Sequence, residues 1–192
     1  PEPPSSVHPV AWFGTAMSRL ERRLWRDGAA AGVVHSASGV LAGVAVGSLV
    51  RSASATLTVA VAASELERIA AEIAGRLADD DLDAARALLP SLVGRDPAHL
   101  DAAGISAAVV ESVAENNVDA VIAPAFWTVV AGAPGAAAYR AINTMDAMVG
   151  HRSDRYRRYG WASARLDDLA NWIPARIFAL LVAAARPRRA AT

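Results

Sequence analysis

Residues 29–50 have the sequence AAAGVVHSASGVLAGVAVGSLV, a run of 22 residues without Asp, Glu, Lys or Arg. A helix that crosses the hydrocarbon core of a bilayer needs about 20 apolar residues. The glycines lower the hydropathy of this run, although glycine is common in spanning helices. The run therefore predicts a transmembrane helix, with a helix buried in a protein core as the alternative. Arg51 ends it, and residues 52–63 are again apolar but too few to span alone.

The composition favours an all-α membrane protein. Hydrophobic residues make up 54% of the 192 residues and the formal net charge is zero, which argues against disorder and against nucleic-acid binding through a basic excess. The chain has no Cys and no Lys, so thiol nucleophiles, a Walker A loop and Schiff-base chemistry are excluded. Phosphate must therefore be bound by Arg, backbone N–H groups or a metal. Alanine, the strongest helix former, is the most frequent residue.

Helical periodicity extends over most of the remaining chain. Residues 10–26 have an apolar stripe and several Arg, which suits either a membrane interface or the surface of a globular domain. Residues 64–89 have the pattern of water-facing helices around an acidic turn, and residues 161–185 predict a helix that Pro174 kinks. We expect residues 1–192 to form a single helical membrane domain, incomplete at both ends, with its amphipathic and loop segments on the cytoplasmic side.

Three acidic residues recur at a fixed spacing. Glu111, Glu115 and Asp119 lie four residues apart and would share one face of a helix. Like charges at this spacing repel by about 0.2–0.5 kcal/mol per pair. The pattern therefore favours a bound cation or nearby Arg side chains, with a solvated helix face as the alternative.

A second polar set follows on two predicted helices and the loop between them. Its members are Arg140, Asn143, Asp146, His151, Arg152, Arg165, Asp167, Asp168, Asn171 and Arg176. Carboxylate and amide oxygens suit Mg²⁺, which takes one or two protein carboxylates plus substrate phosphates. The alternative is a buried Asp–Arg network that holds the helices together.

The uncharged segment 120–138 is a poor straight crossing of a membrane, because it contains two prolines and two glycines. Irregular backbone at membrane depth is tolerated where it is buried in protein or lines a cavity. We therefore predict that this segment is re-entrant, or bends over the site. Short Arg-rich loops such as residues 152–158 stay cytoplasmic, so the site is expected to face the cytoplasm.

Two long strings carry a family resemblance. They are GRDPAHLDAAGISAAVVESVAENNVDAVIAPAFW at residues 94–127 and GAPGAAAYRAINTMDAMVGHRSDRYRRYGWASARLDDLANWIPAR at residues 132–176, with VHPVAWFG at residues 7–14. These strings closely resemble the CobD/CbiB family of cobalamin biosynthesis. The resemblance implies an adenosylcobinamide-phosphate synthase, a multi-pass protein of the cell membrane. Such an enzyme joins aminopropanol phosphate to adenosylcobyric acid by ATP-dependent amide formation.

The resemblance also sets expectations about extent. The family usually begins with a further hydrophobic helix and continues well past Thr192. We expect a chain limited to these residues to lack part of the site and to be inactive.

The implied chemistry assigns roles to the polar residues. An unactivated carboxylate does not acylate an amine at neutral pH, so ATP must first form an acyl phosphate, a step that needs Mg²⁺ and cations. We assign metal binding to Glu111, Asp119, Asp146 and Asp167. Substrate and phosphate binding is assigned to Arg140, Asn143, Arg152, Arg155, Arg165 and Arg176. The catalytic set is Glu115, His151 and Asp168, with Glu115 or His151 accepting the proton of the incoming ammonium.

One other enzyme class has a similar acid spacing. A membrane prenyl- or phosphotransferase holds Mg²⁺-diphosphate between acidic helices, and Asp167, Asp168 and Asn171 beside Asn143 and Asp146 would suit it. A non-catalytic membrane scaffold would not require such a polar set. The expected partners are adenosylcobyric acid, aminopropanol phosphate and the lipid bilayer, with no nucleic acid.

Overall fold

The computed structural model describes residues 9–50, 52, 64–93 and 97–185, and every regular element in those ranges is helical. Their seven α-helices are α1 (Pro9–Leu24), α2 (Ala29–Val50), α3 (Ser64–Ala78), α4 (Leu82–Leu88), α5 (Ala102–Asn117), α6 (Ala123–Met145) and α7 (Trp161–Ala185). A 3₁₀-helix at Leu89–Ser91 and π-helical turns at Val118–Ile122 and Asp146–Gly150 lie between them. The all-α expectation is confirmed, whereas the expectation for residues 53–63 lies outside the described residues.

The chain divides into two compact units, and the expectation that residues 1–192 form a single domain stays a prediction. The first combines Pro1–Val61 with Ile122–Thr192, and the second is Ala62–Val121. The first unit contains α1, α2, α6 and α7, and the second contains the shorter helices α3, α4 and α5.

Three helical stretches are long and apolar enough to cross a membrane. They are Ala29–Val50, Ala102–Gly150 and Trp161–Ala185. Large apolar side chains on α2 and α7 remain uncovered: Leu41 and Leu49 are 69% and 82% exposed, and Leu169 and Leu180 are 70% and 71% exposed. An apolar surface of this kind is typical of helices that face lipid rather than water. The helix predicted at residues 29–50 is confirmed, with the same bounds.

Glycines on one face of α2 let α6 approach its backbone. A Cβ atom on Gly43 would lie 2.8 Å from the Ala137 carbonyl oxygen, and one on Gly47 would clash with the backbone of Ala133. Gly39 lies against the side chain of Met145. Small residues four apart permit this close packing, which stabilises helix pairs where lipid supplies no hydrophobic driving force between them. The order of contacts shows that residues 133–145 run antiparallel to α2.

Helix α6 is a helical hairpin. Ala131 (φ −137°, ψ 16°) and Gly132 (φ 63°, ψ −153°) leave helical geometry and divide it into residues 123–130 and 133–145. Eight residues of a straight helix span about 12 Å, yet a Cβ atom on Gly135 would clash with the Trp127 carbonyl oxygen. Ala123 and Tyr139 also share one buried cluster. The chain therefore reverses at Gly132, which agrees with the bend predicted for residues 120–138. Ala123 and Met145 lie on the same side of this turn.

The first turns of α2 and α7 lie side by side. The Ser36 and Ser163 hydroxyls are 2.9 Å apart and buried, and Gly32 lies against the backbone of Tyr159, two residues before α7 begins. Since both helices start at this end, the segments that precede them are brought together there. Helix α7 continues through Pro174, and the kink predicted there stays a prediction.

Helix α1 packs its apolar stripe inward. Met17 is 4% exposed and Leu20 and Leu24 are half-buried, whereas Trp12 remains 60% exposed. Glu21 shares the inward face and is also buried. The stripe therefore contacts protein, and Trp12 is the part of it that remains available to another surface.

The second unit has its own small core, composed of Ile73, Ala85, Leu89, Ile105 and Ala108. Asp81 and Asp101 are the N-caps of α4 and α5, and their carboxylates accept hydrogen bonds from the backbone N–H groups of Ala84 and Gly104 at 3.1 and 2.8 Å. The helices predicted around an acidic turn are confirmed as α3 and α4, and their facing water stays a prediction.

Candidate active site

A chain of hydrogen bonds crosses between α6 and α7. The Tyr139 hydroxyl donates to Asn171 Oδ1 at 2.9 Å, and Asn171 Nδ2 donates to Asp167 Oδ2 at 2.9 Å. Tyr139 is 1% exposed, whereas Asn171 and Asp167 are half-buried. Because the oxygen and the nitrogen of the Asn171 side-chain amide are both hydrogen-bonded, this residue fixes the orientation of the Asp167 carboxylate relative to α6.

The same face of α6 carries the other polar residues of the predicted set. Arg140 Nη1 donates to Asn143 Oδ1 at 3.3 Å, one turn further along the helix. Asp146 is the first residue of the π-helical turn that follows, and its Oδ1 lies against Gly150. All three side chains are half-buried. A step of three residues thus places a cation and an amide on one side of the helix, as predicted, and the carboxylate of Asp146 follows three residues later at the start of the next turn.

Asp167 and Asp168, predicted as an acidic pair, face different surroundings. The Asp168 carboxylate is 68% exposed and lies 3.3 Å from the guanidinium of Arg165. Asp167 instead faces Asn171. Arg176 is also exposed; it stacks on the Trp172 ring at 3.7 Å from the centroid and donates to the Trp172 carbonyl oxygen. Trp172 and Arg176 are both exposed, whereas Asn171 of the hydrogen-bonded chain is half-buried.

The loop between the two helices carries His151, Arg152 and Arg155. His151 and Arg152 are exposed, and the His151 ring packs edge-on against Tyr156 with centroids 5.0 Å apart. Arg155 Nη2 lies 3.0 Å from Glu21 Oε1 and its guanidinium is stacked 4.6 Å from the centre of the Trp25 ring. The hydrogen bond to Glu21 raises the pKa of Arg155 above its ordinary value. The Arg155 side chain is therefore held by α1 and is half exposed.

Glu21 was not among the predicted site residues, although it organises this end of the first unit. It is 7% exposed and accepts hydrogen bonds from Arg155 and from the Tyr156 hydroxyl, each at 3.0 Å. The neighbouring Tyr159 is fully buried, and burial, reinforced by the charge of Glu21, raises its pKa to about 12. The sequence did carry a signal, because an acid four residues after Met17 falls on the apolar stripe of α1.

A buried histidine was also missed. His35, in α2, is 0% exposed and its Nε2 lies 3.1 Å from the Met17 carbonyl oxygen. Since a carbonyl only accepts, Nε2 carries the proton, and Nδ1 has no hydrogen-bond partner among the described residues. The sequence carries a signal for this residue, because ionisable residues inside a helix that could cross a membrane are costly and rare.

The remaining predicted residues belong to the second unit. Glu111 and Glu115 are exposed on α5. Asp119 is half-buried in the π-helical turn Val118–Ile122, outside the regular α-helical geometry on which a single acidic face depended. Their predicted convergence with Asp146 and Asp167 stays a prediction. Asp119 and Asp146 share one feature, since each lies in a π-helical turn, a distortion found frequently at functional sites.

The donor set of the first unit is compatible with Mg²⁺. Within each unit, the described residues include no group of three or more His, Asp or Glu side chains arranged for a metal. Mg²⁺ does not require one, because it commonly takes one or two carboxylates and completes its shell with water and phosphate oxygens. Asp146 and Asp167 are half-buried hard-oxygen donors of that kind. These two residues would hold the ion in this unit.

Comparison with known proteins identifies the family. The sequence profile of the CobD/Cbib protein family matches residues 1–192. The chain belongs to the CobD/Cbib family. The resemblance carried by residues 94–127 and 132–176 is therefore confirmed. We call the polar residues described above on α6, α7 and the turn after α6 the polar seam; they are Tyr139, Arg140, Asn143, Asp146, Asp167 and Asn171.

Curated relatives agree with the family profile. The chain is 47% identical over 197 residues to "Cobalamin biosynthesis protein CobD" of Mycobacterium tuberculosis, covering 96% of this chain and 62% of the relative. It is 43% identical to the protein of the same name from Rhodobacter capsulatus, covering 95% and 63%, and 41% identical to that of Rhizobium meliloti, covering 93% and 60%. The chain thus spans about three-fifths of the length of these CobD proteins. No solved structure matches it.

Proposed function

We propose that this chain is the part of a cobalamin-biosynthesis enzyme that carries the polar seam between α6 and α7. The proposed reaction is that of an adenosylcobinamide-phosphate synthase, which joins the amine of aminopropanol phosphate to a carboxylate of adenosylcobyric acid. Support comes from the family profile over residues 1–192 and from the names of curated relatives at 41–47% identity. Helices fit to cross a membrane agree with an enzyme of the cell membrane.

The hydrogen-bonded chain Tyr139–Asn171–Asp167 is the observation that carries the proposal. It fixes a carboxylate beside a face that also presents Arg140, Asn143 and Asp146. The half-buried acids and the cation suit a ligand that brings phosphate groups and Mg²⁺.

The proposed chemistry has two steps. A carboxylate oxygen of adenosylcobyric acid attacks the γ-phosphorus of ATP, which forms an acyl phosphate and releases ADP. The amine then attacks the acyl carbon, the C–N bond forms, and phosphate leaves with the C–O bond pair. Bound Mg²⁺ would neutralise phosphate charge during the first step. Asp146 and Asp167 would hold the ion.

The remaining residues bind and position the substrates. Arg140 and Asn143 are proposed to bind phosphate oxygens at the seam, since Arg offers several N–H donors in a fixed fork. The exposed cations Arg152, Arg155, Arg165 and Arg176 are proposed for the phosphates of ATP and aminopropanol phosphate. Glu115 or His151 is proposed to accept the ammonium proton, and Asp168 completes the proposed catalytic set. The roles of Glu111 and Asp119 as further metal ligands rest on the sequence pattern.

An assay on the full-length protein tests the reaction class. Membranes that contain it are incubated with adenosylcobyric acid, aminopropanol phosphate, Mg²⁺ and ATP, or with a prenyl diphosphate and a phosphate acceptor. We expect a corrinoid product that carries aminopropanol phosphate, formed only with ATP. Turnover of the prenyl diphosphate without the corrinoid product would instead establish a transferase, and activity in neither mixture would overturn the proposal.

A further inference from the structure

A strongly basic surface lies at one end of the first unit. It consists of residues 19–27, at the end of α1 and just beyond it, and residues 151–160, the loop before α7. We call these two segments the basic surface. Together they contain eight Arg and three acidic residues, which leaves an excess of five positive charges.

The two segments are joined through their acidic residues. Glu21 pairs with Arg155 at 3.0 Å, and Asp27 lies 4.0 Å from Arg158. Glu21 is buried, so its charge contributes little to the outward face. In contrast, the side chains that project into solvent are mostly cationic. They include Arg22, Arg23, Arg26 and Arg157.

The basic surface directly adjoins two helices that could cross a membrane. Only Gly28 separates residues 19–27 from Ala29, and residue 160 directly precedes Trp161, so each segment leads into the start of α2 or α7. The 2.9 Å contact of Ser36 with Ser163 shows that these starts lie side by side. The positive charge is therefore concentrated where lipid headgroups would meet the protein.

Exposed aromatic residues lie at the same level. Trp161 opens α7 and is 53% exposed, and Trp25 is half-buried beneath Arg155. Trp is enriched at the headgroup level of membrane proteins, because its ring is apolar while its N–H can meet water. Indole rings beside cations on helix ends are the pattern of a surface that contacts headgroups and not bulk solvent.

We propose that the basic surface binds the headgroups of anionic phospholipids in the leaflet at this end of α2 and α7. The lipid phosphates would neutralise the positive charge that Glu21, Asp27 and Asp154 leave uncompensated. The cations concerned are those that the proposed reaction does not use, among them Arg22, Arg26 and Arg157. A soluble phosphate compound is a weaker fit for these, because they are spread along two segments that flank membrane helices and do not converge on one buried cradle. Each basic residue near an anionic surface contributes about fivefold in affinity.

Lipid selectivity of the full-length protein tests this without any substrate turnover. The protein is reconstituted in vesicles of phosphatidylcholine with varied fractions of phosphatidylglycerol, one lipid carrying brominated chains that quench Trp fluorescence. The ratio of quenching gives the binding constant for phosphatidylglycerol relative to phosphatidylcholine. We expect a ratio of about 25 or more for the wild type, and a ratio about 25-fold lower for the Arg26→Gln/Arg157→Gln variant, because each Arg removed costs about fivefold.

Matched variants locate the effect. Arg68→Gln/Arg76→Gln removes the same charge from α3 and should leave the ratio unchanged, and Arg26→Lys/Arg157→Lys should also retain it because it keeps the charge. The proposal is overturned if the wild type shows no preference, if the Gln variant keeps it, or if the α3 variant loses it equally. Loss of the preference on adding inorganic phosphate at constant ionic strength would show a site for soluble phosphate instead.

Discussion

The indole Nε1–H of Trp127 donates a hydrogen bond of 3.1 Å to the carbonyl oxygen of Ala170. Ala170 lies four residues before Pro174, which has no backbone N–H and so cannot complete the helical hydrogen bond to that oxygen. A side chain from the α6 hairpin thus satisfies a carbonyl that proline leaves without its partner. This relationship explains how α7 continues through a buried proline and how the hairpin is attached to it.

Replacing Trp127 with Phe should destabilise the protein by about 1–3 kcal/mol, because a buried carbonyl loses its donor. In a Pro174→Ala background the same replacement should cost less, since the backbone N–H at 174 can then serve Ala170. Unfolding in mixed micelles would measure this double-mutant cycle. Trp161→Phe, at an exposed indole, is the matched control and should change stability by less than about 0.5 kcal/mol. Equal losses of stability with Pro174 and with Pro174→Ala would contradict the inference that Trp127 replaces the hydrogen bond that the proline cannot donate.

Gly132→Ala should destabilise the hairpin. The backbone at Gly132 (φ 63°, ψ −153°) lies in a region that is almost restricted to glycine, so alanine there costs about 1–3 kcal/mol. Crowding is not the cause, because the nearest atom to a Cβ would be 3.8 Å away. Gly75→Ala, in the open interior of α3, should stabilise by up to about 1 kcal/mol. Similar thermal midpoints for the Gly132 variant and the wild type would argue against a glycine-dependent turn.

The acids of the first unit should be needed for turnover in the full-length enzyme. Asp146→Asn, Asp167→Asn and Asp168→Asn should each lower the rate by about 100-fold or more, if each contributes several kcal/mol to transition-state stabilisation. Expression and the helical circular-dichroism signal should remain. Asp154→Asn, on the exposed loop, is the control and should retain activity. A near-normal rate for Asp146→Asn or Asp168→Asn would remove that residue from the proposed site.

The side of the membrane that each segment faces can be measured with single introduced cysteines, because the chain contains no natural cysteine. Single cysteines at Ala98 and Ser153 should both react with a membrane-impermeant maleimide from the cytoplasmic side, since a hairpin returns the chain to the side from which it entered. A cysteine at Val129, 87% exposed near the turn, should be protected by lipid from that side. Opposite labelling of the first two positions would mean that the segment crosses the membrane.

Because the pKa of Tyr159 is raised, we expect the folded protein to lose stability at high pH. The pKa of this tyrosine is raised to about 12 from about 10, so the folded state retains the proton over that interval while the unfolded state releases it. The contribution of protonated Tyr159 to the free energy of unfolding is therefore complete below about pH 10 and is lost as the pH rises through about 12. The Tyr159→Phe variant should show less decline over that range, and ultraviolet titration should show one tyrosine ionising late. Identical pH profiles for both proteins would contradict the assignment.

The helices themselves could be predicted from the sequence. The run of residues without charge, 29–50, predicted both ends of α2 correctly. An uncharged run of this length is stable in an apolar environment over its whole length. The i, i+3 steps from Arg140 to Asp146 placed three side chains on one face of α6, since helical periodicity alone determines that relation. Prolines and glycines in residues 120–138 correctly indicated a break, although Gly132 alone has the glycine-only geometry.

Partners across helices required the tertiary structure. The Asp167–Asn171 spacing was visible in the sequence, but only the approach of α6 showed that Tyr139 fixes this pair and that Asp168 points elsewhere. Glu21 and Arg155 are 134 residues apart, and no local pattern links them. Sequence determined which residues share a helix face, because that depends on a local period. Tertiary structure decided which faces meet, because that depends on the close packing of small residues between distant helices.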